Sequence, residues 1–162
     1  MPVLISDTNI IIDLEEGHIL KELFSLPFSF AVPDILYFEE LENSHEYLLD
    51  YGLLLQELSI HSLKEVTTII EKYPKPSRND CFALMLAKQE QCPLLTGDED
   101  LRSAAREEGV ACMGTLWVVE HMVQYDIITK KTAFNAYQEM KNRKRRLPWN
   151  DAFNRLEALA TQ

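Results

Sequence analysis

Val3-Leu4-Ile5-Ser6-Asp7-Thr8-Asn9 opens with a short apolar run that stops abruptly on a carboxylate. An apolar run bounded in this way reads as a buried strand, which puts Asp7 at the strand's carboxyl end. In an open α/β sheet the ligand crevice lies outside the carboxyl ends of the strands, so an acid placed there faces chemistry more often than core. Further acids near Glu39, at Asp80 and at Asp98 fall at comparable element boundaries, and the four positions read as one site.

Outward from that strand, apolar and turn-forming segments alternate. Ile10 to Leu14 and Ile19 to Phe24 recur at helical spacing around Gly17 and predict two short helices. Phe28 to Val32 predicts a second strand, and Asp34 a cap for a helix that carries Glu39 and Glu40. Tyr47 to Leu58 is ambiguous, with Leu58 to Ile60 as a candidate short strand before a helix that ends at Tyr73. Prolines 74 and 76 then turn the chain toward Asp80. Cys81 to Ala87 is almost wholly apolar and predicts a helix buried around most of its circumference. Pro93 to Thr96 and Val110 to Met113 predict two more strands, with a helix from Glu99 to Glu108 between them. Thr115 is the expected cap of the next helix. Two more helices follow, one from Thr129 to Lys141 and one presenting Trp149, Ala152, Phe153, Leu156 and Leu159 on one face. Strand and helix alternation predicts a mostly parallel sheet with helices on both faces.

With 162 residues and 46% apolar content, one domain is expected over 1–162. The formal charge of -10 argues against a uniformly basic nucleic-acid-binding surface but leaves room for a local basic patch. Cys81, Cys92 and Cys112 are odd in number and lack CxxC spacing. That pattern disfavours a disulfide framework or a zinc site and predicts a reducing cytoplasm. No stretch approaches the roughly 18 apolar residues of a membrane span.

Four acids without histidine suit Mg²⁺ or Mn²⁺, hard cations that take oxygen ligands. The chemistry implied is attack of a metal-activated water on a phosphodiester, with no nucleophilic side chain. Two carboxylates about 5 Å apart repel by roughly 3 kcal/mol at an effective dielectric near 20, so the cluster is expected to raise at least one pKa.

Four segments together resemble the PIN-domain ribonucleases, including VapC-type toxin nucleases. They are Ile5-Ser6-Asp7-Thr8-Asn9, Val32-Pro33-Asp34 leading to Glu39-Glu40-Leu41, Ser77-Arg78-Asn79-Asp80, and Leu94-Leu95-Thr96-Gly97-Asp98. The resemblance implies a three-layer α/β domain with a five-stranded parallel sheet in the order 3-2-1-4-5. It also implies a Mg²⁺- or Mn²⁺-dependent endonuclease acting on single-stranded RNA, with catalytic and metal-holding roles for Asp7, Asp80 and Asp98. Glu39 or Glu40 supplies the remaining acid: spacing from Pro33 favours Glu39, and the apolar Leu41 that follows favours Glu40. Adjacent helix residues point about 100° apart, so only one is expected to face the cluster. Asp100 is an auxiliary metal-ligand candidate, while Ser6, Thr8, Asn9 and Thr96 are candidates to orient the acids. The helices over 129–162 extend beyond the small toxins' length.

Simpler structural roles fit some of the same residues. Ser77-x-x-Asp80 and Thr96-x-x-Glu99 both match a capping box, and Trp117 and Trp149 lie on apolar helical faces suited to packing. Lys141, Arg143, Lys144, Arg145 and Arg146 concentrate five positive charges, expected either to contact RNA phosphate or to solvate a helix end. The toxin reading brings an antitoxin as partner. A homodimer is a further expectation, because the helices near 116–125 and 149–159 carry more apolar residues than a small sheet covers. The alternative function is a non-catalytic module of the same fold that docks a protein or RNA.

Overall fold

The computed structural model describes residues 1–160. Five parallel strands lie in the order β3-β2-β1-β4-β5, as expected: β1 (Val3–Ser6), β2 (Ser29–Pro33), β3 (Leu54–Gln56), β4 (Leu94–Leu95) and β5 (Cys112–Met113). Strand alternation divides the sheet residues between two cores. Ile5, Ala31 and Leu94 face one apolar cluster, whereas Leu4, Phe30, Val32 and Leu95 face the other. The first core is closed by α6 (Ile60–Lys72), α7 (Arg78–Glu90) and α8 (Glu99–Glu107). The second lies under α1 (Thr8–Glu16), α2 (Leu20–Leu23), α9 (Thr115–Gln124), α10 (Lys130–Asn142) and α11 (Trp149–Ala158). A sheet covered on both faces explains why its strands read as apolar runs rather than as alternating patterns.

Four local expectations need correction. The third strand is Leu54–Gln56, upstream of Leu58 to Ile60, which form no strand. Asp34 is the first residue of the short α3 (Asp34–Leu36) rather than its cap, a place held by Pro33. The chain then widens into a π-helical turn over Tyr37–Leu41 before α4 (Glu42–His45) and α5 (Leu48–Tyr51). Thr115 does not cap α9: Gly114 holds that position, and the Thr115 hydroxyl instead donates to Asp13 Oδ2 at 2.7 Å.

The C-terminal helices complete the second core. Ala133, Ala136, Tyr137, Met140, Ala152 and Leu156 are buried with Leu116, Val118, Val119, Met122 and Val123 of α9. Much of the apolar surface of these helices is therefore covered within the chain, while Trp117, Trp149, Phe153 and Leu159 are only partly buried. Gly17 marks the closest approach of α1 to α10, where a Cβ would stand 2.7 Å from Met140 Cε and 3.3 Å from the Ala136 carbonyl oxygen. Thr161 and Gln162, the end of the expected extension, lie outside the described residues. Among the described residues no helix is long and apolar enough to cross a membrane.

Candidate active site

The sheet order reverses direction between β1 and β4, and at such a switch point the loops leaving the two strands part to form a crevice. Asp7 leaves β1 there and Asp98 follows β4. Asp7 is fully buried and caps α1, with Oδ1 accepting from the Ile10 N–H at 3.0 Å and Oδ2 from the Thr96 hydroxyl at 2.5 Å. Thr96 Oγ1 also accepts from the Asp98 N–H at 3.1 Å, so one hydroxyl ties the first acid to the last. Asp98 caps α8, its Oδ1 accepting from the Leu101 N–H at 2.8 Å. The expected pairing of Thr96 with Glu99 does not form, because Asp98 holds the cap. Asp80, in the first turn of α7, forms the predicted capping box with Ser77. All three aspartates thus serve helix starts, Asp7 and Asp98 as caps and Asp80 as the acid of the Ser77 capping box.

The π turn brings both glutamates to the start of α7. Glu40 accepts from Asn79 Nδ2 at 2.8 Å and from the Thr8 hydroxyl at 3.2 Å, beside Asp7. Glu39 accepts from Arg78 Nη1 at 3.3 Å and, at the outer limit, from the same Asn79 amide at 3.4 Å. Glu40 therefore stands beside the first acid and Glu39 beside the Arg78 guanidinium, on a π turn rather than the regular α-helix assumed from the sequence. Asn79 escaped the sequence reading as a site residue. Its position directly before Asp80 was the available signal.

Electrostatics tie the acids together. Burial pushes the Asp7 carboxyl up to about 7, against the lowering effect of its Thr96 and Ile10 hydrogen bonds, and the charges of Asp80 and Asp13 raise it further. Asp80 is also raised, again chiefly by burial, with Asp98 and Glu40 adding repulsion. Mutual repulsion was the expected cause. Loss of hydration is the larger one.

The remaining expected residues divide. The Ser6 hydroxyl donates to the Asp7 carbonyl oxygen at 2.9 Å, inside the core. Asn9 is exposed at the rim of an open cavity of about 440 Å³ that also touches Gly97, Asp98, Lys144, Arg145 and Arg146. Asp100 is exposed in the first turn of α8 and makes no side-chain hydrogen bond to the other acids among the described residues. The basic run is not uniformly free: two of its arginines are engaged by acids of the second core's helices. Arg145 Nε binds Asp13 Oδ1 at 2.6 Å, and Arg143 lies 3.4 Å from Glu16. Asp13 is 5% exposed and was missed as an anchor. An acid flanked by Ile11, Ile12 and Leu14 signals a buried carboxylate that needs a partner.

A family profile described as "DUF3368: PIN domain" matches residues 3–158. The chain belongs to the PIN-domain family. The match takes in the C-terminal helices as well as the sheet. A PilT N-terminus domain protein, SSO1118, from the hyperthermophilic archaeon Sulfolobus solfataricus P2 is similar at 16% identity and a TM-score of 0.47, over 73% of this chain and 90% of that one. None of the curated proteins matches. PIN domains are in general nucleases and in general depend on a divalent metal. Asp7, Glu40, Asp80 and Asp98 offer the all-oxygen donor set that Mg²⁺ or Mn²⁺ takes. Asn79 Oδ1, buried and without a hydrogen-bond partner among the described residues, leaves room for a donor such as a metal-bound water. Among the described residues no three acidic, histidine or cysteine side chains stand close enough to share one ion. The donor chemistry fits, and the side chains as placed do not yet form a coordination sphere.

Proposed function

We propose that this PIN domain is a Mg²⁺- or Mn²⁺-dependent endoribonuclease that hydrolyses phosphodiester bonds of single-stranded RNA. The observation that carries the reading is the convergence of Asp7, Asp80, Asp98 and Glu40 at the β1–β4 switch point, with two of the four carboxyls raised. Two of the carboxylates Asp7, Asp80 and Asp98, with water and substrate oxygens completing the shell, would hold the cation, which when bound would supply an activated water and neutralise charge on the phosphoryl oxygens. The chain's own contribution is positioning. Thr96 fixes the Asp7 carboxylate and the Asp98 backbone together. The Ser77 box holds Asp80 on a buried helix, and Thr8 with Asn79 turns Glu40 toward the first acid. Glu40, hydrogen-bonded only to neutral donors, would accept a proton from the attacking water or help hold the cation.

The biological setting proposed is the toxin half of a toxin–antitoxin pair. One observation favours the rival, non-catalytic module: each aspartate also serves a helix start, Asp7 and Asp98 as caps and Asp80 in the Ser77 capping box, a sufficient structural reason for its presence. Incubation with a mixed RNA pool, with and without Mg²⁺ or Mn²⁺, decides between them. Metal-dependent cleavage that disappears in Asp7→Asn is expected. No cleavage by the wild-type protein in either metal would overturn the nuclease reading.

A further inference from the structure

The C-terminal basic turn lines an open cavity that Asp98, the last of the boundary acids, also borders. Helix α10 ends at Arg143, and Lys144 takes a left-handed conformation (φ 62). The Lys144 N–H bonds the Lys141 carbonyl and the Arg145 N–H bonds the Met140 carbonyl, each at 3.0 Å. These are the two reverse bonds of a Schellman ending, in which glycine is the usual left-handed residue. The reversal directs Arg145 onto buried Asp13, whose other oxygen accepts from Thr115. The turn is thereby clamped to α1 and α9. Lys144, Arg145 and Arg146 all line the cavity that opens onto Asn9, Asp13, Gly97, Asp98 and Glu99, but only Arg145 is committed there to an acid, Asp13. Neither Lys144 nor Arg146 makes an ion pair among the described residues, whereas Arg143 and Arg145 do.

Arg146 also borders a second open cavity of about 460 Å³, which shares Gly97 and Glu99 with the first and is lined by Arg102, Trp117 and Arg155. The two cavities adjoin on the side of Asp98, with Arg146 lining both. On a chain of net charge -10, unpaired cations held beside a carboxylate cluster are where a polyanion gains most from contact.

We propose that Lys144 and Arg146 form a phosphate subsite for the strand's backbone beside the scissile bond, and that Arg145 does not contact the strand but holds the turn in place through Asp13. The proposal rests on the nuclease reading and refines it, because it separates two bound cations from the other three of the run. The guanidinium of Arg146 offers a planar fork suited to phosphate, and the Lys144 ammonium a mobile point charge. Contacts of this kind set affinity and register without reading bases.

The test measures binding of a fluorescently labelled single-stranded RNA by anisotropy across a salt series in EDTA, alongside cleavage in Mg²⁺. The Lys144→Gln/Arg146→Gln double variant is compared with Lys141→Gln/Arg143→Gln. Each phosphate contact on a single strand contributes about 0.7 to the salt slope, so the first pair should shallow the slope by roughly 1.4 and weaken binding on the order of tenfold near physiological salt. The second pair should leave the slope unchanged. Lys144→Gly supplies a variant that relaxes the left-handed residue: its melting temperature should rise by a few degrees while its salt slope falls by about 0.7.

Equal losses in both double variants would overturn the proposal, since a diffuse positive field would then act in place of a subsite. An unchanged slope in Lys144→Gln/Arg146→Gln, with wild-type cleavage intact, would overturn it while leaving the nuclease reading standing. In that case the two cations would serve a protein partner or helix-end solvation. Wild-type protein that neither binds nor cuts RNA would overturn both.

Discussion

Two buried aspartates at opposite ends of α1 meet their burial in different ways. Asp13 is held by Arg145 and Thr115. Asp7, six residues earlier and more deeply buried, has only a hydroxyl and a backbone amide, and its carboxyl is pushed up to about 7. A buried charge with an internal cation is a structural element. One left with neutral donors carries a cost that the fold itself does not relieve. The same contrast extends over the molecule: Glu120 pairs with Arg155, and Glu108 with Lys72 and Lys88, all away from the switch point. The acids at the switch point, Asp7, Asp80, Asp98 and Glu40, have no cation partner among the described residues. Within the acid cluster itself no side-chain cation among the described residues neutralises these four carboxylates, which leaves that role to a metal.

The largest effect expected from breaking this contrast is on pH-dependent stability. The Asp7 carboxyl titrates at an ordinary 3.8 when unfolded and at about 7 when folded. Between those values the folded state holds more protons, so stability falls as pH rises through the window and the penalty is complete above it. The difference between those two values corresponds to at most ~4 kcal/mol. Metal-free Asp7→Asn should therefore melt above wild type at about pH 8 and lose that advantage near pH 4, because asparagine keeps the cap without the charge. Thermal melts in EDTA across this range are the measurement. A mutant less stable than wild type at the alkaline end would show that Asp7 serves the fold alone.

At the other end of α1 the sign reverses. Arg145→Met strands the Asp13 carboxylate, and the loss should be about 2–3 kcal/mol, below the cost for a wholly buried pair because the arginine is partly exposed. Asp13→Asn in the same background should recover most of it. Urea denaturation of the four proteins of the cycle at neutral pH gives the coupling. A coupling below about 0.5 kcal/mol would place the pair with ordinary surface ion pairs and remove the basis for the contrast.

Most of the fold was legible because its signals are local. Short apolar runs ending in Asp7 and Thr96, and the helix from Cys81 to Ala87 buried all round, follow from period and termination alone. The third strand was misplaced because Leu53-Leu54-Leu55 and Leu58 to Ile60 carry similar apolar signals, and only pairing with β2 selects the first. The π turn left no mark in composition, since its extra residue is accommodated by tertiary packing. Asp7, Asp80 and Asp98 were legible as boundary acids. The partition of the basic run was not, because whether an arginine is free or clamped depends on an acid 132 positions away.

The smallest effect sharpens the contrast at the surface, where Glu39 and Glu40 stand side by side on the π turn. Glu39 has a cation partner in Arg78, and Glu40 is held by Thr8 and Asn79. If cation pairing marks the structural acid, Glu40→Gln should lower kcat by roughly tenfold, within the range for groups that support a metal centre. Glu39→Gln should change it by less than about twofold, because an exposed ion pair contributes at most ~1 kcal/mol to stability and none to the reacting atoms. Single-turnover cleavage with saturating Mg²⁺ separates this from weaker substrate binding, which would appear in KM. Arg78→Gln supplies the remaining arm: removing its charge frees Glu39 to compete for the shared Asn79 amide, so kcat should fall modestly in Arg78→Gln and recover in Arg78→Gln/Glu39→Gln. Equal losses in Glu39→Gln and Glu40→Gln would mean that the π turn delivers both carboxylates to the reaction, and the pairing rule would then hold only for buried acids.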